Sequence, residues 1–559
     1  MKKLLLFVLP LVCGNLFSQN YKITYLKSSN GSLIENQDPI IVYSNESLTR
    51  VISKSIDEDK SKYPSEFFNL ERETNTFIQI ADLNESSTIF SKDSLSLSKQ
   101  TFEFLNDSKK ILGYNCKKAK TIINSNTIEL WYTIELKVKG APTQLGQNLG
   151  LVLELNRNGN FVIAATKVEK IKQFPIIRKK EASEKTVDGL TYKDLLWKSR
   201  FTTIHVFKDQ IINFSDQSKS NDSILRFANG TIAVRKVKIP EIKVGSQIFV
   251  DVIEQSNGDA YDRTGSFFII PTNKSTSFLD GLKNGAKTLP IYSNGNGKEY
   301  QGVAATEDYN PIVELMRFFT PFGVKQYNTL QLKDKIWAEN VFYRQDVSDL
   351  RTLLSNQEVW IGVNIGNYDK GGHKVSANIT IHDEEESKAI PTQIVPLFCT
   401  NNIMEMAGQE YGTMFSSDKG LEVTFKLDKP MKNCKLRYIT TGHGGWENGD
   451  EFVPKKNSIY LDGKETFSFT PWRQDCGSYR LSNPASGNFP NGLSSSDYSR
   501  ANWCPGTVTN PIFIDLGNLE AGTHSIQVKI PQGLPEGSSF SSWNVSGVLI
   551  GEERIENRK

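Results

Sequence analysis

The chain has 559 residues, 38% of them apolar and 23% charged, and a formal net charge of +3. That length exceeds one domain and points to about three or four. Near-neutrality without a basic run argues against nucleic acid as a partner.

Met1-Lys2-Lys3 precedes an almost wholly apolar run, Leu4 to Cys13, and then Gly14 to Ser18. A short basic head, an apolar stretch of about ten and a small-residue end read as a cleaved secretory signal peptide over residues 1–18. The bulk of Val12 before Cys13 argues against lipidation. No later segment approaches the ~18 apolar residues of a membrane helix. The mature chain is therefore expected to be a secreted or periplasmic monomer without a membrane partner. Export permits disulfides. Without Cys13 the cysteines are Cys116, Cys399, Cys434, Cys476 and Cys504, an odd number, so at least one finds no partner within the chain.

Residues 19–198 read as a mostly-β accessory unit. Phe102 to Leu136 alternates polar and apolar residues as strands do, and Lys139 to Asn160 opens on a turn signal. The words GYNCKKA, WYT, GAP and GLVLEL resemble the GLPGLI family of exported bacterial proteins, although LGQNLGLVLEL departs from that family's own word. An all-β accessory domain with no chemistry of its own is the favoured reading of this unit. Arg178 to Lys185 alternates in sign and reads as a solvated segment at a junction. Asp188 to Arg200 can form a short helix that closes the unit.

From 199 to 388, short strands such as TTIHVFKDQ, GTIAVRKVKIP, QIFVDVIEQ and GSFFIIP are separated by Gly, Asn, Asp and Ser turns, the pattern of a β-sandwich. Residues 389–559 form a last unit. There LRYIT reads as a half-buried strand that runs into Thr441-Gly442-His443-Gly444-Gly445-Trp446, and NSIYLDG returns as its partner in the same sheet. His443, Trp446, Asp450 and Glu451 fall on the loop between them, where a rigid sheet commonly displays binding groups.

Several chemistries are absent. No HExxH, CxxC, phosphate loop or Gly-x-Ser-x-Gly elbow occurs, and the five histidines include no pair at helical metal-ligand spacing. What remains are carboxylates on loops: Asp259 and Asp262 in Gly258-Asp259-Ala260-Tyr261-Asp262-Arg263, and Glu451. By composition alone the first of these is a turn.

TTGHGGWENGDEF, a following cysteine at Cys476, SRANWCPG, RFFTPF and the Asp-x-aromatic-Asp-Arg turn together resemble the peptide-N-glycosidase F family over about 201–555. The resemblance implies an all-β fold with two eight-stranded jelly rolls side by side and a cleft between them. It implies an amidase that releases intact N-linked glycans from asparagine, acting on the chitobiose core of N-glycosylated proteins and glycopeptides with no metal or organic cofactor. A glycan-binding protein of the same fold without turnover is the alternative.

Carried over residue by residue, the resemblance makes Asp262 the principal catalytic carboxylate, Glu451 the group that grips the sugar core, and Arg500 the electrostatic support. Tyr261, Arg263, His443, Trp446 and Asn364 become candidate substrate contacts. Arg263 either helps to keep Asp262 ionised or pairs with Asp259. His443 and Trp446 either touch sugar or pack the loop, and Trp503 packs against the disulfide. Asn364 stands where the family has a glutamate, and Gly366 where it has a tryptophan. Cys476 and Cys504 match the family's bonded pair; Cys399 with Cys434 stays open as a second, leaving Cys116 over. Further family cysteines beside the catalytic Asp and Glu are absent, so packing must hold those loops.

Overall fold

The strand His373–His382 alternates buried and half-buried residues along its whole length, as a sheet with one face on the core requires. Val313–Phe319 differs: all seven residues are buried, which marks a strand covered on both faces. These two patterns locate the layers. The computed structural model describes residues 19–175, 183–323, 332–383, 392–444, 448–484, 495–534 and 540–553. The leader-like residues 1–18 lie outside them. The chain divides into two compact units, Met1–Phe201 and Thr202–Lys559. Among the described residues, no helix is long and apolar enough to cross a membrane.

In the first unit thirteen strands make one sheet around a core that includes Ile23, Tyr25, Leu130 and Leu153. The helix Gly189–Lys198 starts where the Asp188 carboxylate accepts the Leu190 and Thr191 backbone N–H groups, a good N-cap. It buries Tyr192 and Leu196 against Ala81 and Ile89. Part of the charged segment expected to be solvated forms an edge strand, Ser183–Thr186, which pairs in parallel with Ser87–Asp93 while Glu184, Lys185 and Thr186 stay exposed. Charge sign does not report backbone pairing at a sheet edge.

The second unit holds two sandwiches. In the first, Thr202–Ile212, His373–His382, Gln247–Ser256 and Val341–Asp346 form a four-stranded sheet. It faces a six-stranded sheet that includes Glu358–Ile365, Thr264–Ile270 and Val313–Phe319 and ends on Val508–Thr509, a strand lent by the C-terminal half. The second sandwich has two four-stranded sheets. One contains Met431–His443 and Ser542–Glu553, the other Asn457–Leu461 and Gly522–Lys529. The expected hairpin between LRYIT and NSIYLDG is therefore not formed. Its two strands lie in opposite sheets of the sandwich. Alternation shows which face of a strand is buried, not which neighbour it takes.

The doubly covered strand Val313–Phe319 forms the seam between the sandwiches, and buried charge lies along it. Arg317 Nη2 meets Glu314 Oε2 at 2.5 Å, both fully buried, while Arg317 Nη1 donates to Thr441 Oγ1 and the Asn544 carbonyl on the second sandwich. Arg437 answers from that side, donating to the Glu314 carbonyl and pairing with Asp349 at 2.8 Å. Breaking such a buried pair commonly costs about 3–5 kcal/mol, so these contacts specify one docking of sandwich on sandwich.

Candidate active site

Three loops meet at one end of this seam. The first leaves the strand Gln247–Ser256 and carries Gly258 to Arg263. Its shape comes from its own polar groups: Ser256 Oγ donates to the Asp259 carbonyl, and the Tyr261 N–H returns to Asp259 Oδ1 at 3.2 Å. Thr320, just past the seam strand, fastens the other end. Its hydroxyl accepts the Arg263 N–H at 2.8 Å and donates to the Tyr261 carbonyl at 3.1 Å. Asp262 projects from this braced turn.

The second loop carries Glu451. Its neighbour Asp450 is fully buried and accepts the Trp543 indole N–H at 2.8 Å and the Gly533 N–H. The Gly444 carbonyl faces the Glu451 N–H, and the Glu451 carbonyl accepts from the Ala501 N–H at 2.9 Å. The third loop is closed by the Cys476–Cys504 disulfide. Arg500, within it, and Arg473, three residues before Cys476, exchange both backbone hydrogen bonds. Cys116, Cys399 and Cys434 are separate buried thiols, so the second bridge left open does not form.

The Arg500 guanidinium joins these loops. Its Nη2 lies 3.2 Å from Asp262 Oδ2, and its Nη1 donates to Glu451 Oε1. It rests over Trp503, 4.3 Å from the ring centroid. Trp503 in turn stacks on Phe319 at 4.4 Å and donates its indole N–H to the Gly442 carbonyl. Trp503 is thus a packing residue: its ring supports Arg500, and its backbone carbonyl meets Cys476 Sγ.

Two acids share this one cation in contact, and both are poorly solvated, with side chains 15% and 17% exposed. Burial raises the pKa of each, and Arg500 opposes it. Asp262 ends above its usual range, and Glu451 is pushed up to about 7, helped by the Asp262 charge. Both roles considered for Arg263 are present: it pairs with Asp259, and its charge also favours ionised Asp262. Arg263 forks onto Asp259 at 2.7 and 3.3 Å, so its pull on Asp262 acts from a distance and burial prevails.

An open cavity of about 330 Å³ is lined by Thr264, two residues after Asp262, and by Asn402, Tyr411, His443, Gly444 and Phe540 among others. His443 both packs and lines it. Its ring stacks with Phe319 and Trp503, and burial with the nearby Arg317 and Arg500 charges lowers its pKa to about 3, so it is neutral. Tyr261 is 58% exposed beside Asp262, and the Arg263 guanidinium lies over both it and Tyr368, itself 59% exposed. Asn364 is buried in its sheet and donates to the Thr231 carbonyl at 3.1 Å; it does not line the cavity. At Gly366 a side chain would meet open space. Trp446 lies outside the described residues. Sequence reasoning missed Tyr368, Asn402 and Tyr411, whose contacts converge on Glu405. Their only sequence signal is a scatter of aromatic and amide residues in loops.

The chain matches three family descriptions in order: N-glycanase peptide, N-terminal domain over residues 23–194; peptide-N-glycosidase F, N terminal over 203–381; and peptide-N-glycosidase F, C terminal over 410–550. Two crystal forms of PNGF-II match it at 56% and 57% identity, each with a TM-score of 0.91. They cover 97% and 96% of this chain, and 99% and 100% of their own. The chain belongs to the peptide-N-glycosidase F family. It is by that membership a peptide-N-glycosidase, a hydrolase. The segment read as GLPGLI-like is the one matched by the N-glycanase N-terminal description. No curated protein matches the chain.

Proposed function

We propose that this N-glycanase hydrolyses the amide between asparagine and the innermost N-acetylglucosamine of N-linked glycans, converting Asn to Asp and releasing the glycan whole. The observation that carries the reading is the pair of poorly solvated carboxylates held on one guanidinium. Hydrolysis of an amide needs a base for water, a stabiliser for the oxyanion and a proton for the departing nitrogen.

Asp262 takes the base role. Its raised pKa makes it a stronger proton acceptor than a solvated aspartate. Water attacks the carbonyl carbon while Asp262 removes its proton. Arg500, pre-positioned by its backbone pairing and by Trp503, is the nearest cation to the charge that develops on oxygen. The proton held by Asp262 then passes to the nitrogen as the carbon–nitrogen bond breaks, which leaves aspartate in the peptide and a free glycosylamine. Glu451 grips and orients the sugar core. The exposed Tyr261 ring offers a face to the chitobiose. Neither a metal nor an organic cofactor enters these steps. The natural substrates are N-glycosylated proteins and glycopeptides, and the enzyme works as an exported monomer. The leader-like N-terminus and the disulfide support export.

Incubating the full chain with an N-glycopeptide tests this. Hydrolysis predicts a released glycan and a gain of about one dalton at the former glycosylation site, the Asn-to-Asp change that amide cleavage requires. Glycan bound but never released would leave a lectin of the same fold, a reading favoured only by the lack of a carboxylate at Asn364.

A further inference from the structure

The turn that presents Asp262 is anchored beneath by side chains that the amide chemistry does not use. His373, at the start of the strand His373–His382, is fully buried. Its Nδ1 lies 2.8 Å from Glu254 Oε1, and its Nε2 lies 3.4 Å from Asp259 Oδ2. Both ring nitrogens therefore face carboxylates. A neutral imidazole has one N–H and would turn a lone pair toward one of these acids; the doubly protonated ring serves both. Asp259 in turn holds Arg263. Acid, base, acid and base thus alternate from Glu254 to Arg263, and the last two members flank Asp262 in the same turn. Backbone contacts bind the same surfaces, with the Asn257 N–H donating to the Gly372 carbonyl at 2.8 Å.

The cluster also reaches the opposite wall. The Tyr343 phenol interacts with Glu254 and donates to the Phe319 carbonyl at 2.8 Å. The Phe319 ring supports Trp503, on which Arg500 lies. One buried acid is thereby tied to the mounts of both Asp262 and Arg500.

We propose that His373 is a positioning residue for Asp262: the chain Glu254–His373–Asp259–Arg263 fixes the turn from which Asp262 meets Arg500. This role rests on the amidase reading above. Burial alone would lower the His373 pKa, but its hydrogen bonds to Asp259 and Glu254 raise it to about 9. Burial alone would raise Asp259, but His373 and Arg263 draw it down to about 2. The groups facing the ring are these two acids, with Tyr343 beyond Glu254 and Arg263 beyond Asp259. The ring keeps its second proton below about pH 9 and loses it as pH rises through that value. The turn then loosens, and turnover falls on the alkaline side.

The test measures kcat and KM for glycopeptide deglycosylation across neutral and alkaline pH, using the full chain and its His373→Gln and Glu254→Gln variants. The glutamine amide cannot bridge two acids as an imidazolium does. His373→Gln should lose roughly tenfold or more in kcat, as a misplacement of about 1 Å can cause, with KM within about twofold. Its alkaline limb near pH 9 should vanish. Glu254→Gln keeps the ring but removes one acid that holds its proton, so its limb should move to lower pH. Should His373→Gln fail to fold, that displacement alone decides. A His373→Gln kcat within about twofold of the parent, or a limb that neither variant moves, overturns the role. A parent that releases no glycan overturns the amidase reading and this role together; an active parent whose variants keep its profile overturns the role alone.

Discussion

Asp262 and Glu451 arrive from different sandwiches and meet on separate nitrogens of the Arg500 guanidinium. Their spacing is therefore set by how the two sandwiches dock, and the docking is held by Glu314, Arg317 and Arg437 along the seam. The clamp gives two acids one cation in contact in a poorly solvated place, and the following consequences can be measured.

Asp262→Asn keeps the shape of the side chain but removes its capacity to accept a proton. Turnover of a glycopeptide should fall by about 10² to 10⁴, the usual loss for a general base. Binding of the glycan should survive, because Glu451, Tyr261 and the cavity are untouched. Turnover near that of the parent would falsify the base assignment and turn attention to Asp259, three residues earlier.

Glu451, with its pKa near 7, should leave a mark on kcat/KM. If its carboxylate grips sugar hydroxyls, it works when ionised. The expected profile rises as pH increases toward about 7 and holds there until the alkaline fall near pH 9. Glu451→Gln should flatten that limb and weaken binding as well as rate. In Asp262→Asn the limb should shift to lower pH, because the neighbouring charge that helps to raise Glu451 has gone. A profile that is the same in all three proteins would detach Glu451 from the site.

The strand content was legible because period-two alternation follows from burying one face of a sheet. The clustering of Asp262, Glu451 and Arg500 was legible from the family motifs, as was the pairing of Cys476 with Cys504. Sheet membership was not. LRYIT and NSIYLDG have the pattern of partners and lie in opposite sheets. The partners of buried polar groups were equally hidden, since they are long-range: His373 and Glu254 are 119 residues apart, Asp450 and Trp543 93. Arg263 shows the same limit locally. Adjacency left Asp262 and Asp259 both open, and only the fold shows the guanidinium turned back to Asp259. Packing was expected to hold the loops of Asp262 and Glu451 in place of the family's extra cysteines; buried polar anchors do much of that holding.

Asp450→Ala should expose that second anchor. It strips the acceptor from the Trp543 indole and the Gly533 N–H, and it leaves Lys455, 3.6 Å away, without this acid. Each buried donor left unmet costs about 1–3 kcal/mol. Denaturant unfolding of the second unit should therefore show a loss of several kcal/mol. Activity should fall further than stability alone explains, because Glu451 is the next residue along the chain. Asp450→Asn, which retains an acceptor oxygen, should recover part of both. An Asp450→Ala protein with unchanged stability would mean that the loop is held elsewhere.

Tyr261 provides the converse case, a side chain with much to give a ligand and little to the fold. It is 58% exposed, and its ring meets Phe322 edge-on at 6.2 Å. Truncation there should leave the unfolding midpoint nearly unchanged, as exposed substitutions usually do. A sugar face stacked on that ring would lose roughly 0.5–1.5 kcal/mol, which corresponds to a rise of about 2- to 12-fold in KM. Tyr261→Phe, which keeps the ring and drops the hydroxyl, should stay close to the parent. If KM is unchanged in Tyr261→Ala while kcat falls, the ring acts through its neighbour Asp262 by bracing the turn, and the sugar core lies on another surface, with the exposed Tyr368 the nearest alternative.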